Sequence, residues 1–293
     1  MKRTLLCFGV GYSARALSRL LLSTGEWRII GSTRSPEKAA SAKLLQIDSI
    51  IWPGGDLAPA IENATHLLMS IAPGDRGDPV IEAYGEEIIS SASGICWAGY
   101  LSTTAVYGDR GGRWVDEESP LAPTTERGRR RVDAERAWQK LATKCGLPLH
   151  IFRLAGIYGP GRGPLEAVKT GRGRRIIKKN QVFNRIHVED IAKALAASIE
   201  KPEPGEIYNL CDDLPAPPQE VVAFASELLG VPLPEAVPFE SAEMTRMARS
   251  FYSESKKVSN EKLKRQLGLS LAYPDYLSGL SSLAGETPQP NAP

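Results

Sequence analysis

Apolar residues fall along this chain in short runs that alternate with segments of helical spacing, and the alternation begins at the N-terminus. Leu5 to Phe8 is continuously apolar, as a strand covered on both faces requires. It breaks at Gly9, Val10 and Gly11, and Ala16, Leu17, Leu20 and Leu21 then recur at the period of a helix over 12–24, with Gly25 as its stop. Further strands are expected over 27–33, 44–52, 66–71 and 95–102, with a short helix or turn over 57–63 and an amphipathic helix over 79–92. The second half is less regular. It predicts a helix over 126–144, a strand over 149–154, a turn-rich exit over 157–164 and a helix over 188–200 closed by Pro202. A strand over 207–211 and helices over 218–229 and 259–267 follow, with Pro215, Pro217, Pro232, Pro234 and Pro238 marking the loops. Residues 285–293 have nothing to bury and are expected to form a flexible tail.

Strands alternating with helices predict an α/β fold, a Rossmann-type doubly wound parallel sheet with a smaller C-terminal α/β substrate domain. The expected division is a dinucleotide-binding domain over 1–156 and a substrate domain over 157–284, with 186–211 returning to the main sheet.

The first glycine loop has a ligand implied by its chemistry. Gly9 permits the sharp turn, Gly11 removes the side chain that would hold a pyrophosphate away from the backbone, and Ala14 takes the third small position. The helix opening at Tyr12 and Ser13 would aim its unsatisfied amides at the phosphates. The second strand ends in Ser32, Thr33 and Arg34, with no carboxylate before Glu37. Thr33 and Arg34 suit a ribose 2′-phosphate better than a bare diol, so NADP is expected as cofactor in preference to NAD. Ile71 and Ala72 close the strand over 66–71 at the carboxyl edge of the sheet, where ligands bind in open parallel sheets. They complete this part of the cofactor set.

Composition narrows the function classes. The chain has 293 residues, 42% hydrophobic and 24% charged, which argues for a folded protein and against disorder. No run approaches the ~18 apolar residues of a membrane span, and no secretory leader is present, so a cytoplasmic protein without a membrane partner is expected. Cys7, Cys96, Cys145 and Cys211 are widely spaced and read as buried reduced thiols. His66, His150 and His187 share no metal spacing with them, and no metal site is expected. A net charge of +2 makes no case for nucleic-acid binding. The positive charge is nevertheless uneven. Lys169, Arg172, Arg174, Arg175, Lys178, Lys179 and Arg185 follow one another with no acid among them. Such a loop either wraps an anion or is a solvated surface, and aromatic interleaving of the kind that binds single strands is absent apart from Phe183.

Five blocks now resemble a known family. The turn at 9–14, LSTTAVYGD at 101–109, FRLAGIYGPGR at 152–162, FNRIHVEDIA at 183–192 and EIYNLCDD at 206–213 are similar to the extended short-chain dehydrogenase/reductase superfamily, specifically the NAD-dependent epimerase/dehydratase family. The glycine spacing is that of its atypical members. The resemblance implies a Ser or Thr that orients the substrate oxygen, a Tyr phenol that exchanges a proton with it, and a Lys four residues on. Thr103 falls on the first position, while Arg127 stands at the Tyr position and Arg131 at the Lys position. A guanidinium stays protonated and cannot shuttle a proton, although Arg131 keeps a positive charge one helical turn away.

Thr103, Arg127 and Arg131 are therefore the catalytic candidates, with Thr103 and Arg131 also beside the cofactor. Tyr107, Arg162 and Arg185 are the substrate-side candidates, Arg185 resembling the family's phosphate-binding Arg. His187, Glu189 and Asp190 are expected to cap and orient the following helix. The implied activity is an oxidoreductase or epimerase acting on an anionic, nucleotide-linked or other small molecule. The alternative is a non-catalytic NADP-binding sensor. Relatives dimerise through helices that correspond to 79–92 and 126–144, so a monomer or a homodimer is expected.

Overall fold

A computed structural model describes residues 3–285 of the chain. The expected tail lies outside the described residues from 286 onward.

The first half runs β1 (Arg3–Phe8), α1 (Tyr12–Leu22), β2 (Trp27–Thr33), α2 (Pro36–Lys43), β3 (Asp48–Ile51), α3 (Ala58–Glu62), β4 (His66–Met69), α4 (Pro79–Ser91) and β5 (Trp97–Thr103). After the short strand β6 (Trp114–Val115) come α5 (Glu126–Cys145), β7 (Leu149–Leu154), β8 (Gly156–Tyr158), α6 (Pro164–Lys169), β9 (Arg175–Ile177), β10 (Arg185–His187) and α7 (Val188–Glu200). The chain ends with β11 (Ile207–Leu210), α8 (Pro218–Leu228), β12 (Ala236–Pro238), α9 (Arg246–Phe251), β13 (Lys257–Val258), α10 (Glu261–Leu267) and α11 (Tyr276–Gly285).

Seven strands form one parallel sheet in the order β11-β7-β5-β4-β1-β2-β3. The order reverses between β1 and β4, which places a topological switch point at the carboxyl end of β1. Leu5 and Cys7 contribute to one core and Leu6 and Phe8 to the other, the period-two alternation of a strand covered on both sides. On one face α1 and α7 pack together through Ala14, Leu17 and Leu21 against Ile191, Ala194 and Leu195. On the other, α3, α4 and α5 cover the sheet around Trp138, Tyr100 and Ile88. A third cluster joins α6, α8 and α11 at Leu165, Val221 and Leu280, beside the sheet.

Local signals explain the helix starts. Ser35 accepts from the Lys38 amide and Pro36 opens α2, Asp78 accepts from the Val80 amide at 3.0 Å, and Thr125 accepts from the Gly128 amide at 3.2 Å. His187 Nδ1 accepts from the Glu189 amide at 3.3 Å and caps α7. Asp190 faces elsewhere and accepts from the amides of Ala272 (2.7 Å) and Tyr273 (3.0 Å), fastening the approach to α11.

Two expectations need correction. The strand expected over 44–52 is only Asp48–Ile51, because α2 occupies the preceding residues and the chain turns through Gln46 at φ 58°, leaving Leu44 exposed. Among the cysteines, Cys7 and Cys211 are buried, but Cys96 is exposed and Cys145 half-buried, since both stand at the edges of elements rather than inside strands.

Candidate active site

The glycine loop lies at the switch point. Gly9 has φ +92°, and a Cβ there would come within 2.9 Å of Ile71 Cγ1, so its backbone and its close neighbour both require glycine. Its amide donates to Ser32 Oγ at 2.9 Å, and Ser70 Oγ donates to its carbonyl oxygen at 2.6 Å, which fixes the turn between β2 and β4. Gly11 is the N-cap of α1 without a side-chain bond, and no atom lies within 4 Å of where its Cβ would stand. The first turn of α1 carries no acid. The structure thus leaves an open approach to bare helix amides, which fits a pyrophosphate. Ile71 is half-buried against Gly9, Ala72 is exposed beside it, Thr33 is buried and Arg34 is exposed at the end of β2.

A cleft of about 700 Å³ runs from Gly11, Tyr12, Ser13 and Ala14 past Thr103 toward the C-terminal segments. Thr103 ends β5 half-buried, and its hydroxyl accepts from the Ala105 amide at 3.3 Å. Arg127 and Arg131 enter the cleft from α5 one turn apart. Gly128 between them lets the helix approach closely, since a Cβ there would lie 2.9 Å from the Ala105 carbonyl oxygen. The Arg131 guanidinium donates through Nη1 to the Leu101 carbonyl oxygen at 2.7 Å and to the Tyr100 phenol at 3.0 Å. That of Arg127 lies 5.3 Å from the centre of the Phe251 ring.

The substrate-side candidates separate. Arg185 lines the cleft although it is only 7% exposed, and its Nη1 is shared between the carbonyl oxygens of Phe183 (3.0 Å) and Ala216 (3.3 Å). Arg162 also lines the cleft, with its guanidinium 5.3 Å from the centre of the Tyr12 ring, and Tyr12 donates to the Pro160 carbonyl oxygen at 3.0 Å. Tyr107 corrects the expectation. It is fully buried, donating to Asn209 Oδ1 at 2.7 Å and accepting from Arg153 Nη1 at 3.0 Å, so it cannot touch a ligand in the cleft. Burial pushes its phenol up to about 12. Of the cationic stretch, Arg174 and Arg185 line the cleft, while Lys178 donates to the Tyr252 carbonyl oxygen.

The residues that pattern reasoning missed come from 251–256. Phe251, Tyr252, Glu254 and Lys256 close the cleft wall. Lys256 Nζ donates to Glu254 Oε2 at 2.7 Å and to the Gly108 carbonyl oxygen at 2.9 Å, and Thr124 donates to Glu254 Oε1 at 2.6 Å. Two aromatics followed by a Glu-x-Lys step in a stretch without periodicity was the available signal. Beneath Thr103, Glu135 and Arg153 form a fully buried pair at 2.8 Å, and Ser102 donates to Glu135. Asp212, buried behind Arg185, has its carboxyl pushed up to about 8 by that burial, with the Arg185 charge opposing.

A parallel sheet with a glycine turn at its switch point and a cleft closed by a smaller C-terminal layer defines a dinucleotide-fold protein. Residues 91–211 match the model of the NAD-dependent epimerase/dehydratase family. The chain is 29% identical to protein YeeZ of Escherichia coli K12 over 287 residues, spanning 92% of this chain and 96% of that one. Mouse dTDP-D-glucose 4,6-dehydratase is 27% identical over 162 residues, 51% of this chain and 44% of its own. A solved structure of a functionally unknown conserved protein from Silicibacter pomeroyi DSS is 55% identical, with TM-score 0.91 over 98% of this chain and 100% of that one. The UDP-glucuronic acid 4-epimerase of Bacillus cereus, in complex with UDP-glucuronic acid and NAD, shares the fold at TM-score 0.77 and 17% identity over 96% of this chain and 98% of that one. Over residues 91–211 the chain is similar to the NAD-dependent epimerase/dehydratase family, and the whole chain shares the fold of that epimerase. No described helix is long and apolar enough to cross a membrane, and the described residues contain no cluster of metal-binding side chains.

Proposed function

We propose that the protein is an NADP-dependent oxidoreductase or epimerase acting on an anionic small molecule, with a nucleotide-linked sugar as the leading class. The observation that carries this reading is the single cleft in which the glycine loop, Thr103 and the cationic wall of Arg174 and Arg185 meet. Gly9, Gly11, Tyr12, Ser13 and Ala14 would hold the pyrophosphate, Thr33 and Arg34 the adenosine ribose, and Ile71 and Ala72 the space beside it. When bound, the nicotinamide supplies a hydride acceptor or donor. Thr103 would orient the reacting oxygen, with its hydroxyl free to donate while it accepts from the Ala105 amide. Arg127 and Arg185 would hold the anionic end of the substrate by charge-assisted hydrogen bonds. The proton must come from a group other than the one at the family's Tyr position, because a guanidinium there cannot exchange it. In this reading 1–156 and the returning 186–211 carry the cofactor, and the remaining C-terminal segments close over the substrate.

A second reading, an NADP-binding sensor without turnover, is favoured by Arg131, whose Nη1 is engaged by the Leu101 carbonyl oxygen and the Tyr100 phenol. One screen separates the two. Protein saturated with NADP or NADPH is offered nucleotide sugars and small anionic carbonyl compounds, and nicotinamide absorbance is followed together with product mass, since an epimerase recycles its cofactor. Turnover lost in Thr103→Ala supports the enzyme. Tight cofactor binding without turnover of any class supports the sensor.

A further inference from the structure

Glu254 and Lys256 are both buried, and both line the cleft. Their backbone is pinned from two sides. The Ser255 amide donates to Asp109 Oδ1 at 2.8 Å, while the side-chain amides of Gln181 and Asn184 donate to the carbonyl oxygens of Glu254 (2.6 Å) and Lys256 (2.8 Å). Glu254 is the one carboxylate among the described residues lining the cleft, and each of its oxygens has a donor, Thr124 on one and Lys256 on the other. Lys256 is not used up in this way. An ammonium has three N–H donors, of which one goes to Glu254 and one to the Gly108 carbonyl oxygen. The third makes no hydrogen bond to the described residues.

These bonds set Nζ in the corner between the turn after Thr103 and the start of α5. Gly108 closes the single helical turn Thr104–Tyr107 that Thr103 caps, and Gly128, next to Arg127, packs against Ala105 of that turn. Thr124 stands three residues before Arg127, whose guanidinium rests over Phe251. The other lining groups serve proton exchange less well. Guanidiniums keep their protons. Tyr12 lies at the glycine-loop end, donating to the Pro160 carbonyl oxygen, and Tyr158 donates to that of Asp275 while burial pushes its phenol well above the ordinary range. Tyr252 packs on Phe183 and Phe239 with the Arg185 charge nearby, and its phenol has no hydrogen bond to a described residue of β5 or α5.

We infer that Lys256 is a catalytic residue, the group that exchanges a proton with the substrate oxygen, and that Glu254 is its positioning residue. This rests on the enzyme reading above. In the reducing direction the carbonyl carbon takes a hydride from the reduced nicotinamide, and the C=O π pair moves to oxygen. That oxygen takes a proton from the Lys256 ammonium, and the neutral amine is reprotonated from water.

Two measurements on the full chain test this. Acetic anhydride labelling, mapped by peptide mass spectrometry, reads whether Nζ opens on the cleft without any need for turnover. Lys256 is expected to be acetylated in the free protein and protected several-fold by NADP with UDP-glucuronic acid, while the exposed Lys193 is not protected. An unlabelled or unprotected Lys256 overturns the inference. Turnover is then followed over the panel of nucleotide sugars and small anionic carbonyl compounds. Lys256→Arg keeps the cation but cannot give up its proton, so turnover should fall about a hundredfold or more while calorimetry shows the NADP dissociation constant within about threefold. In Glu254→Gln the lysine loses its proton at lower pH, so the alkaline limb of the reduction profile should move down. Full turnover in Lys256→Arg sinks Lys256 alone, and if Tyr252→Phe abolishes turnover as well, the proton belongs to that phenol. A wild-type protein that binds NADP and turns over nothing sinks the enzyme reading and the proton role with it.

Discussion

Nη1 of Arg131 lies 2.7 Å from the carbonyl oxygen of Leu101, and this bond, with a second to the Tyr100 phenol at 3.0 Å, ties α5 to the end of β5 just before Thr103. Arg131→Ala leaves a half-buried carbonyl and a buried phenol without their donor. Chemical denaturation is expected to show a loss of about 1–3 kcal/mol. Unchanged stability together with a large loss of NADP affinity would instead assign Arg131 to the cofactor.

Beneath the same strand end, Glu135 and Arg153 pair at 2.8 Å with almost no exposure. Removing one partner strands the other charge, so Glu135→Ala is expected to cost about 3–5 kcal/mol in unfolding free energy. Replacing both with apolar residues of similar volume should return much of that stability, because the pair also carries the cost of burying two charges. If the double replacement is as unstable as the single one, the pair is needed for more than charge balance.

Asp212 introduces a pH dependence with a definite sign. Its carboxyl is pushed up to about 8 in the folded chain from the ordinary value of 3.8, because it is buried. Between those values the unfolded chain releases a proton that the folded chain keeps, so Asp212 favours unfolding increasingly as pH rises through that window. Asp212→Asn removes the slope. The melting temperature of the variant minus that of the wild type should therefore widen from about pH 5 to about pH 8. A difference that stays constant across this range would mean that Asp212 is ionised throughout.

The fold was legible because its signals are local and periodic. The apolar run of β1, the glycine turn and the helical spacing of α1 each follow from a few adjacent residues, and the alternation repeats as far as β5. The third strand was misplaced because Leu44, Leu45 and Ile47 form an apolar run, although Ala42 and Ile47 face the core and Leu44 does not. At the site, the glycine loop and Thr103 could be read from motif and spacing, and the cleft does bring them together. Tyr107 was misjudged since its partners, Asn209 and Arg153, lie 102 and 46 residues away in sequence. The wall from Phe251 to Lys256 has no periodicity to mark it, and its role in closing the cleft depends on Gly108, Thr124 and Lys178, none of which is near in the chain.

The most direct test is at Gly11, where folding and binding separate. Its backbone has φ −88°, which any residue adopts, and no protein atom lies within 4 Å of the place a Cβ would take. Gly11→Ala should therefore leave the melting temperature within a few degrees of wild type, since the substitution builds no clash. The added methyl group would stand where a pyrophosphate approaches the amides of α1, so calorimetry should show NADP binding weakened about tenfold or more. A folded Gly11→Ala protein that binds NADP as tightly as wild type would contradict dinucleotide binding at this loop.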